Sequence, residues 1–252
     1  MEHLIHEEGK FKYIQKGEGE VLLLLHGLFG ALSNFEYIIN DFSPRYKVVV
    51  PLLPIFELPT DNLSIFSLME YVNEFVEAQQ FDKVNVLGNS LGGHIALLYV
   101  INHPERVKTL TLTGSSGLFE SAMGTTFPKR GDYEFMKEKT EYTFYDKRHA
   151  TKELVDEVFG IVNDRERAFR IILTAKSAIR HNVEEHLGSI NVPTLLIWGQ
   201  QDTITPAFVG EDFHKLIKGS ELHFIDECGH APMMERPEPF NEILAQFLAK
   251  TK

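Results

Sequence analysis

Cysteine is nearly absent: Cys228 is the single one in 252 residues. One thiol can neither close an internal disulfide nor build a cysteine-based zinc site, so the fold rests on its core, and a reducing compartment is compatible with it. Basic charge is also in short supply, with 25 Lys and Arg against 36 Asp and Glu, a formal net charge of -11 and no run of Lys or Arg. A polyanion would be repelled, which sets nucleic acid aside as a partner. Long apolar runs are missing too. Val21 to Leu25 is short and Val48 to Phe56 is broken by Pro51 and Pro54, well below the roughly 20 residues of a bilayer span. The first residues, Met1 to Glu8, are acidic where an export signal is basic and then apolar, so the expectation is a soluble, cytoplasmic protein with no membrane partner. The sequence contains no internal repeat, low-complexity tract or linker.

What is present is core material. A composition of 43% hydrophobic and 24% charged residues is that of a globular protein. At about 150 residues per domain, the length allows one large domain or one domain with a sizeable insertion. Short apolar runs, each followed by a turn signal and a stretch of helical period, predict an α/β fold around a mostly parallel sheet. The strands fall at Phe11 to Gln15, Val21 to Leu25, Tyr46 to Val50, Val84 to Leu87, Thr109 to Thr113, Thr194 to Trp198 and Glu221 to Ile225. Near-continuous runs such as Val-Leu-Leu-Leu-Leu are what strands covered on both faces require. Helical period marks Ile65 to Ala78, Leu91 to Ile101 and Phe240 to Leu248. From Leu118 to His186 the strand signal disappears and the sequence turns helical, aromatic and charged, with periodic segments at Glu153 to Val162 and Arg165 to Ile179. The reading is an α/β core made of residues 1–117 and 187–252, interrupted by a helical cap over residues 118–186.

The informative motif is Gly88-Asn89-Ser90-Leu91-Gly92, between the strand-like Lys83 to Leu87 and the helix-like Gly93 to Ile101. It is Gly-x-Ser-x-Gly in strand-turn-helix context, where a serine sits on a strained turn at a helix N-terminus and its neighbours must lack side chains. A serine hydroxyl needs a base to take its proton and an acid to orient that base. His230, in Cys228-Gly229-His230-Ala231, follows the strand ending at Ile225. Asp202 follows the strand ending at Trp198. Parallel strands present their C-terminal ends on one edge of the sheet, which brings Ser90, Asp202 and His230 together. Asp226 falls too early in its loop and is assigned to the turn, and Gly114-Ser115-Ser116-Gly117 offers no carboxylate. For the oxyanion, one backbone donor is Leu91. The other comes from His26-Gly27-Leu28-Phe29-Gly30, with Leu28 favoured and Phe29 as the alternative. His26 is assigned to holding its loop and Cys228 to packing.

With these residues in place, the sequence resembles the α/β-hydrolase superfamily over essentially its whole length. The carriers are His26-Gly27, Gly88 to Gly93, Pro193 to Gly199, Asp202 and Gly229-His230, in family order and spacing. The resemblance implies a cap inserted before the strand that leads to Asp202, attack by Ser90, general base and acid chemistry by His230, orientation by Asp202, and no cofactor. No metal site is expected either, since His181 and His186 are not at the i, i+4 spacing of a zinc helix. Asn89 and the stretches Thr113 to Leu118 and Glu221 to Phe224 look like the carbon–carbon bond hydrolases of meta-cleavage products. Those enzymes carry tryptophan directly after the histidine, where this chain has Ala231.

The function expected is a serine hydrolase acting, through an acyl-enzyme on Ser90, on a small to medium apolar carboxylic ester or lactone. Carbon–carbon hydrolysis of a vinylogous diketone is the alternative, with Arg165, Arg167 and Arg170 as candidates for a substrate carboxylate. A ligand-sensing module with vestigial catalysis is the alternative from another class. Phe29, Met123, Phe127, Phe144 and Met233 are the candidate pocket residues, with Phe159 a further aromatic of the insertion. The -11 charge favours a neutral substrate over an anionic one.

Overall fold

The computed structural model describes residues 4–30, 35–119 and 130–251. Eight strands form one sheet: β1 (Ile5–Glu8), β2 (Phe11–Lys16), β3 (Val21–Leu25), β4 (Lys47–Pro51), β5 (Val84–Asn89), β6 (Val107–Thr113), β7 (Thr194–Gly199) and β8 (Glu221–Ile225). Their order is β1-β2-β4-β3-β5-β6-β7-β8. β1 and β2 pair antiparallel with their neighbours, and every pairing from β4 to β8 is parallel. Six strands therefore end on one edge of the sheet.

The apolar runs form strands because both of their faces are covered. In β3 all five residues are buried, with Val21, Leu23 and Leu25 in one core and Leu22 and Leu24 in the other. β7 divides likewise, with Leu196 and Trp198 facing the first core and Leu195 and Ile197 the second. The first core is closed by α2 (Ile65–Ala78), α3 (Leu91–Asn102) and α8 (Ala207–Leu216), the second by α1 (Glu36–Phe42) and α10 (Pro237–Lys250). α2 starts on a reciprocal cap: Ser64 Oγ accepts from Ser67 N–H at 3.1 Å, and Ser67 Oγ accepts from Ser64 N–H at 2.9 Å.

β1 has no counterpart among the expected strands. Its sequence Ile-His-Glu-Glu is polar and exposed at the sheet edge, so no apolar signal marks it, and pairing with β2 alone makes it a strand. Between β6 and β7 the described residues form no strand. They form α4 (Tyr133–Glu141), α5 (Lys152–Asn163), α6 (Arg165–Arg180) and the short α7 (Glu184–Leu187). The last short helix, α9 (Pro232–Glu235), follows His230 directly. Among the described residues, no helix is long and apolar enough to cross a membrane.

Candidate active site

Ser90 joins β5 to α3 at φ 55° and ψ -120°, a conformation that a residue with a side chain adopts only when its surroundings impose it. The imposition is close packing. A Cβ on Gly88 would lie 2.3 Å from the Gly92 carbonyl oxygen, and one on Gly92 would lie 2.0 Å from the Leu25 carbonyl oxygen. Strand, turn and helix approach too closely for a side chain at either position. The Ser90 N–H donates to Thr113 O at 3.2 Å, and the Ser90 carbonyl accepts from Ser116 N–H at 3.1 Å. Leu91 opens α3, so its amide is among those that a helix start leaves without an intrahelical acceptor.

Asp202 lies just beyond β7, its side chain fully buried. One carboxylate oxygen accepts from the N–H groups of Ile204 at 2.8 Å and Thr205 at 2.9 Å. The other accepts from Thr205 Oγ1 at 2.8 Å and faces His230 Nδ1 at 2.9 Å. The Trp198 indole N–H donates to Thr205 O at 2.8 Å and so secures the residue that secures Asp202. A carboxylate surrounded by donors accepts the Nδ1 proton of the imidazole, which leaves Nε2 with its lone pair.

The loop that carries His230 is laced to both of its neighbours. Gln201 N–H donates to Cys228 O at 2.9 Å, while the Gln201 side chain accepts from Cys228 N–H at 3.0 Å and donates to Asp226 at 2.7 Å. Asp226 is thereby committed to the turn. Asn89 Nδ2 donates to Thr113 O at 3.1 Å and to His230 O at 3.2 Å. This buried amide beside Ser90 ties the ends of β5 and β6 to the histidine. Its identity attracts notice in the sequence only as a family trait, because the partners lie 24 and 141 residues away.

His26 Nδ1–H donates to Gly27 O at 2.8 Å, and Nε2 accepts from Leu53 N–H at 3.1 Å. Burial pushes its pKa down, so a neutral ring with both nitrogens engaged holds the loop of residues 26–30. Cys228 is fully enclosed in the second core, and burial pushes its thiol pKa up, which fits packing and not reactivity.

Ser90 and His230 open onto a cavity of about 340 Å³. Its floor is Gly27, Leu28, Phe29, Gly30 and Asn89, joined by Ile204, Ala231 and Met234. The segment between β6 and β7 contributes Phe135, Met136, Lys139, Thr140, Tyr142, Thr143, Phe144, Leu154 and Val158. The expected pocket residues Phe29 and Phe144 are on this wall. Met233 is not: it is wholly buried in the second core, and its neighbour Met234 takes the place, since α9 turns successive side chains to different sides. Phe159 packs on Met136, Val158 and Val162 and stays off the wall. Met123 and Phe127 lie outside the described residues.

The three candidate arginines are also elsewhere. Arg170 is buried, bonded to Leu58 O and, at 3.0 Å, to Glu166. Arg167 lies over the Phe56 ring, 4.4 Å from its centre, and none of the three arginines lines the cavity. Among the described residues, no group of three or more His, Cys, Asp or Glu is placed to hold a metal ion.

The family profile of the alpha/beta hydrolase fold matches residues 20–237. The chain belongs to the α/β hydrolase fold family. It is 28% identical over 258 residues to 2-hydroxy-6-oxo-6-phenylhexa-2,4-dienoate hydrolase of Comamonas testosteroni, covering 94% of this chain and 90% of that one. To monoacylglycerol lipase ABHD6 of Mus musculus it is 27% identical, covering 97% of this chain and 81% of that one. Among solved structures, an alpha/beta hydrolase enzyme from the sediment metagenome of the Mar Chica lagoon, Morocco, superposes with a TM-score of 0.82. That enzyme is 40% identical, with 98% of each chain covered. These α/β hydrolase relatives thus include both a lipase and a carbon–carbon hydrolase.

Proposed function

We propose that this chain is a serine hydrolase that cleaves a small to medium apolar carboxylic ester or lactone through an acyl-enzyme on Ser90. The observation that carries the reading is the presence of Ser90 and His230 on one largely apolar cavity, with His230 Nδ1 held at 2.9 Å by the buried carboxylate of Asp202. In this reading residues 118–186 act as a cap and supply the apolar upper wall. Ser90 Oγ attacks the ester carbonyl carbon as His230 Nε2 takes its proton. Asp202 orients the imidazole and stabilises the imidazolium. The developing oxyanion is received by the Leu91 amide and by that of Leu28, with Phe29 as the alternative. Collapse of the tetrahedral adduct breaks the bond to the alkoxy group, to which His230 returns the proton. Water, deprotonated by His230, then releases the acid.

A fluorophosphonate should label Ser90 covalently, and Ser90→Ala should lose about 10⁶-fold in ester turnover. Unchanged turnover in that variant would sink the proposal.

A second reading is carbon–carbon hydrolysis of a vinylogous diketone acid. It is favoured by the ammonium of Lys139, which lies on the cavity beside the rings of Phe135 and Tyr142 at 5.5 and 6.0 Å. A local cation weakens the expectation, drawn from net charge alone, that anionic substrates are disfavoured. Steady-state rates on acyl esters of increasing chain length, on lactones and on a diketone acid separate the two readings. Tight binding without turnover on every substrate would point to a binding module.

A further inference from the structure

Glu235, at the end of α9, is a buried carboxylate outside the triad and off the cavity. One of its oxygens accepts from Gly229 N–H at 2.8 Å, the residue immediately before His230. The other accepts from Tyr145 N–H at 2.8 Å and Asp146 N–H at 3.3 Å, on the segment between α4 and α5. The same segment touches the triad's surroundings twice more. Thr143 O accepts from His230 N–H at 3.0 Å, and Tyr142 O accepts from Thr203 Oγ1 at 2.8 Å, next to Asp202. The approach is close, because a Cβ on Gly229 would come within 2.8 Å of both Thr143 O and Tyr145 N.

The chemistry of the strap requires a carboxylate. Backbone N–H groups arrive from both sides, so both side-chain oxygens must accept. Glutamine fills the same volume but turns one of those acceptors into an N–H₂ donor aimed at N–H. Aspartate is one methylene too short to reach both partners. Burial pushes the Glu235 pKa up, and the charge-assisted bonds from the three backbone N–H groups oppose that shift by replacing part of its hydration.

We infer that Glu235 is a positioning residue of the triad: it fastens the histidine loop to residues 143–146, so that the placement of His230 depends on the segment that also roofs the cavity. This rests on the proposed role of His230 as base. The consequence is that the roof is anchored on the histidine side, and any opening for substrate must come from elsewhere along its rim. A displacement of about 1 Å at a reacting group is enough to cost about 10²-fold in rate.

The test is the rate of fluorophosphonate labelling, with kcat and KM on an acyl ester, in wild type, Ser90→Ala, Glu235→Gln and Thr203→Val, with thermal melts alongside. Glu235→Gln should remain folded at 25 °C, with kcat and labelling slowed about 10- to 10²-fold and KM little changed. Its downfield imidazole N–H resonance should be broadened by exchange. Thr203→Val, which cuts the weaker strap, should slow both rates several-fold. Wild-type labelling and kcat in folded Glu235→Gln, even with a lowered Tm, would overturn the inference. If Glu235→Gln does not fold, Glu235→Asp, one methylene too short to reach both partners, is read in the same way. Absence of labelling in wild type would instead overturn the serine-hydrolase reading.

Discussion

Ser90 and His230 share a cavity wall, yet opposite means hold them there. Ser90 is shaped first by its own neighbourhood in sequence, a left-handed φ of 55°, glycines two residues away on each side and the start of α3, and its backbone is then tied to Thr113 at the end of β6 and to Ser116 just beyond it. His230 is fixed mostly by side chains and carbonyls distant in sequence: Asp202 and Gln201 from the β7 loop, Asn89 from the turn before α3 and Thr143 from between α4 and α5, with the nearby Glu235 acting through Gly229. In the proposed mechanism the attacking serine needs rigid backbone, which close packing supplies, and the histidine that takes and returns its proton needs a fixed ring plane and tautomer, which hydrogen bonds from several directions supply.

The largest break in this comparison is expected at the acid. Asp202→Asn should leave Ser90 in place but remove the acceptor that sets the His230 tautomer, lowering kcat by about 10⁴-fold with the fold intact. Near wild-type kcat on an acyl ester would show that His230 is held without it. On the serine side the expected damage is to stability. Gly92→Ala must displace the Leu25 backbone and should cost about 3 kcal/mol in urea unfolding, whereas an unshifted midpoint would mean that the turn relaxes freely.

The helix that follows Ser90 has a further long-range tie, and pH exposes it. His94, one turn after Ser90, is fully buried and donates from Nε2 to His181 O at 2.9 Å. Burial lowers its pKa to about 4 from 6.5. Between those values the unfolded chain takes up a proton that the folded chain does not, so stability falls as pH drops from about 6.5 to about 4, by up to roughly 3 kcal/mol. Tm measured across that window should fall less steeply in His94→Gln, and equal slopes would exclude His94 as the source. The smallest effect expected is at Asn89. Asn89→Ala removes donors from two carbonyls and should cost about 1–2 kcal/mol and about ten-fold in kcat; a loss of stability with kcat intact would confine Asn89 to the core.

The serine side was legible in the sequence because its causes are local. β3 and α2 begin and end where the apolar pattern places them, and Gly-Asn-Ser-Leu-Gly names its own turn. The cavity wall was half legible. Phe29 follows a recognisable strand and lies on it, while Met233 and Met234 are adjacent and chemically identical, so only the direction in which α9 turns them separates core from cavity. The arginines of α6 show the same limit. Their charge is visible in the chain, but their partners, Leu58 O and the Phe56 ring, lie more than a hundred residues away. Thr205, Gln201 and Glu235 carried no signal, since a hydroxyl, an amide or a carboxylate in a loop is ordinarily solvated.

By itself, then, the sequence determined the α/β alternation, the strained serine turn, and the order of serine, acid and histidine, because periodicity and turn chemistry act over a few residues. Tertiary structure alone decided which side chains form the cavity and which buried groups hold His230. Those depend on where distant loops meet at the sheet edge, and a hydrogen bond of 2.9 Å between residues 28 apart leaves no trace in either residue's neighbours along the chain.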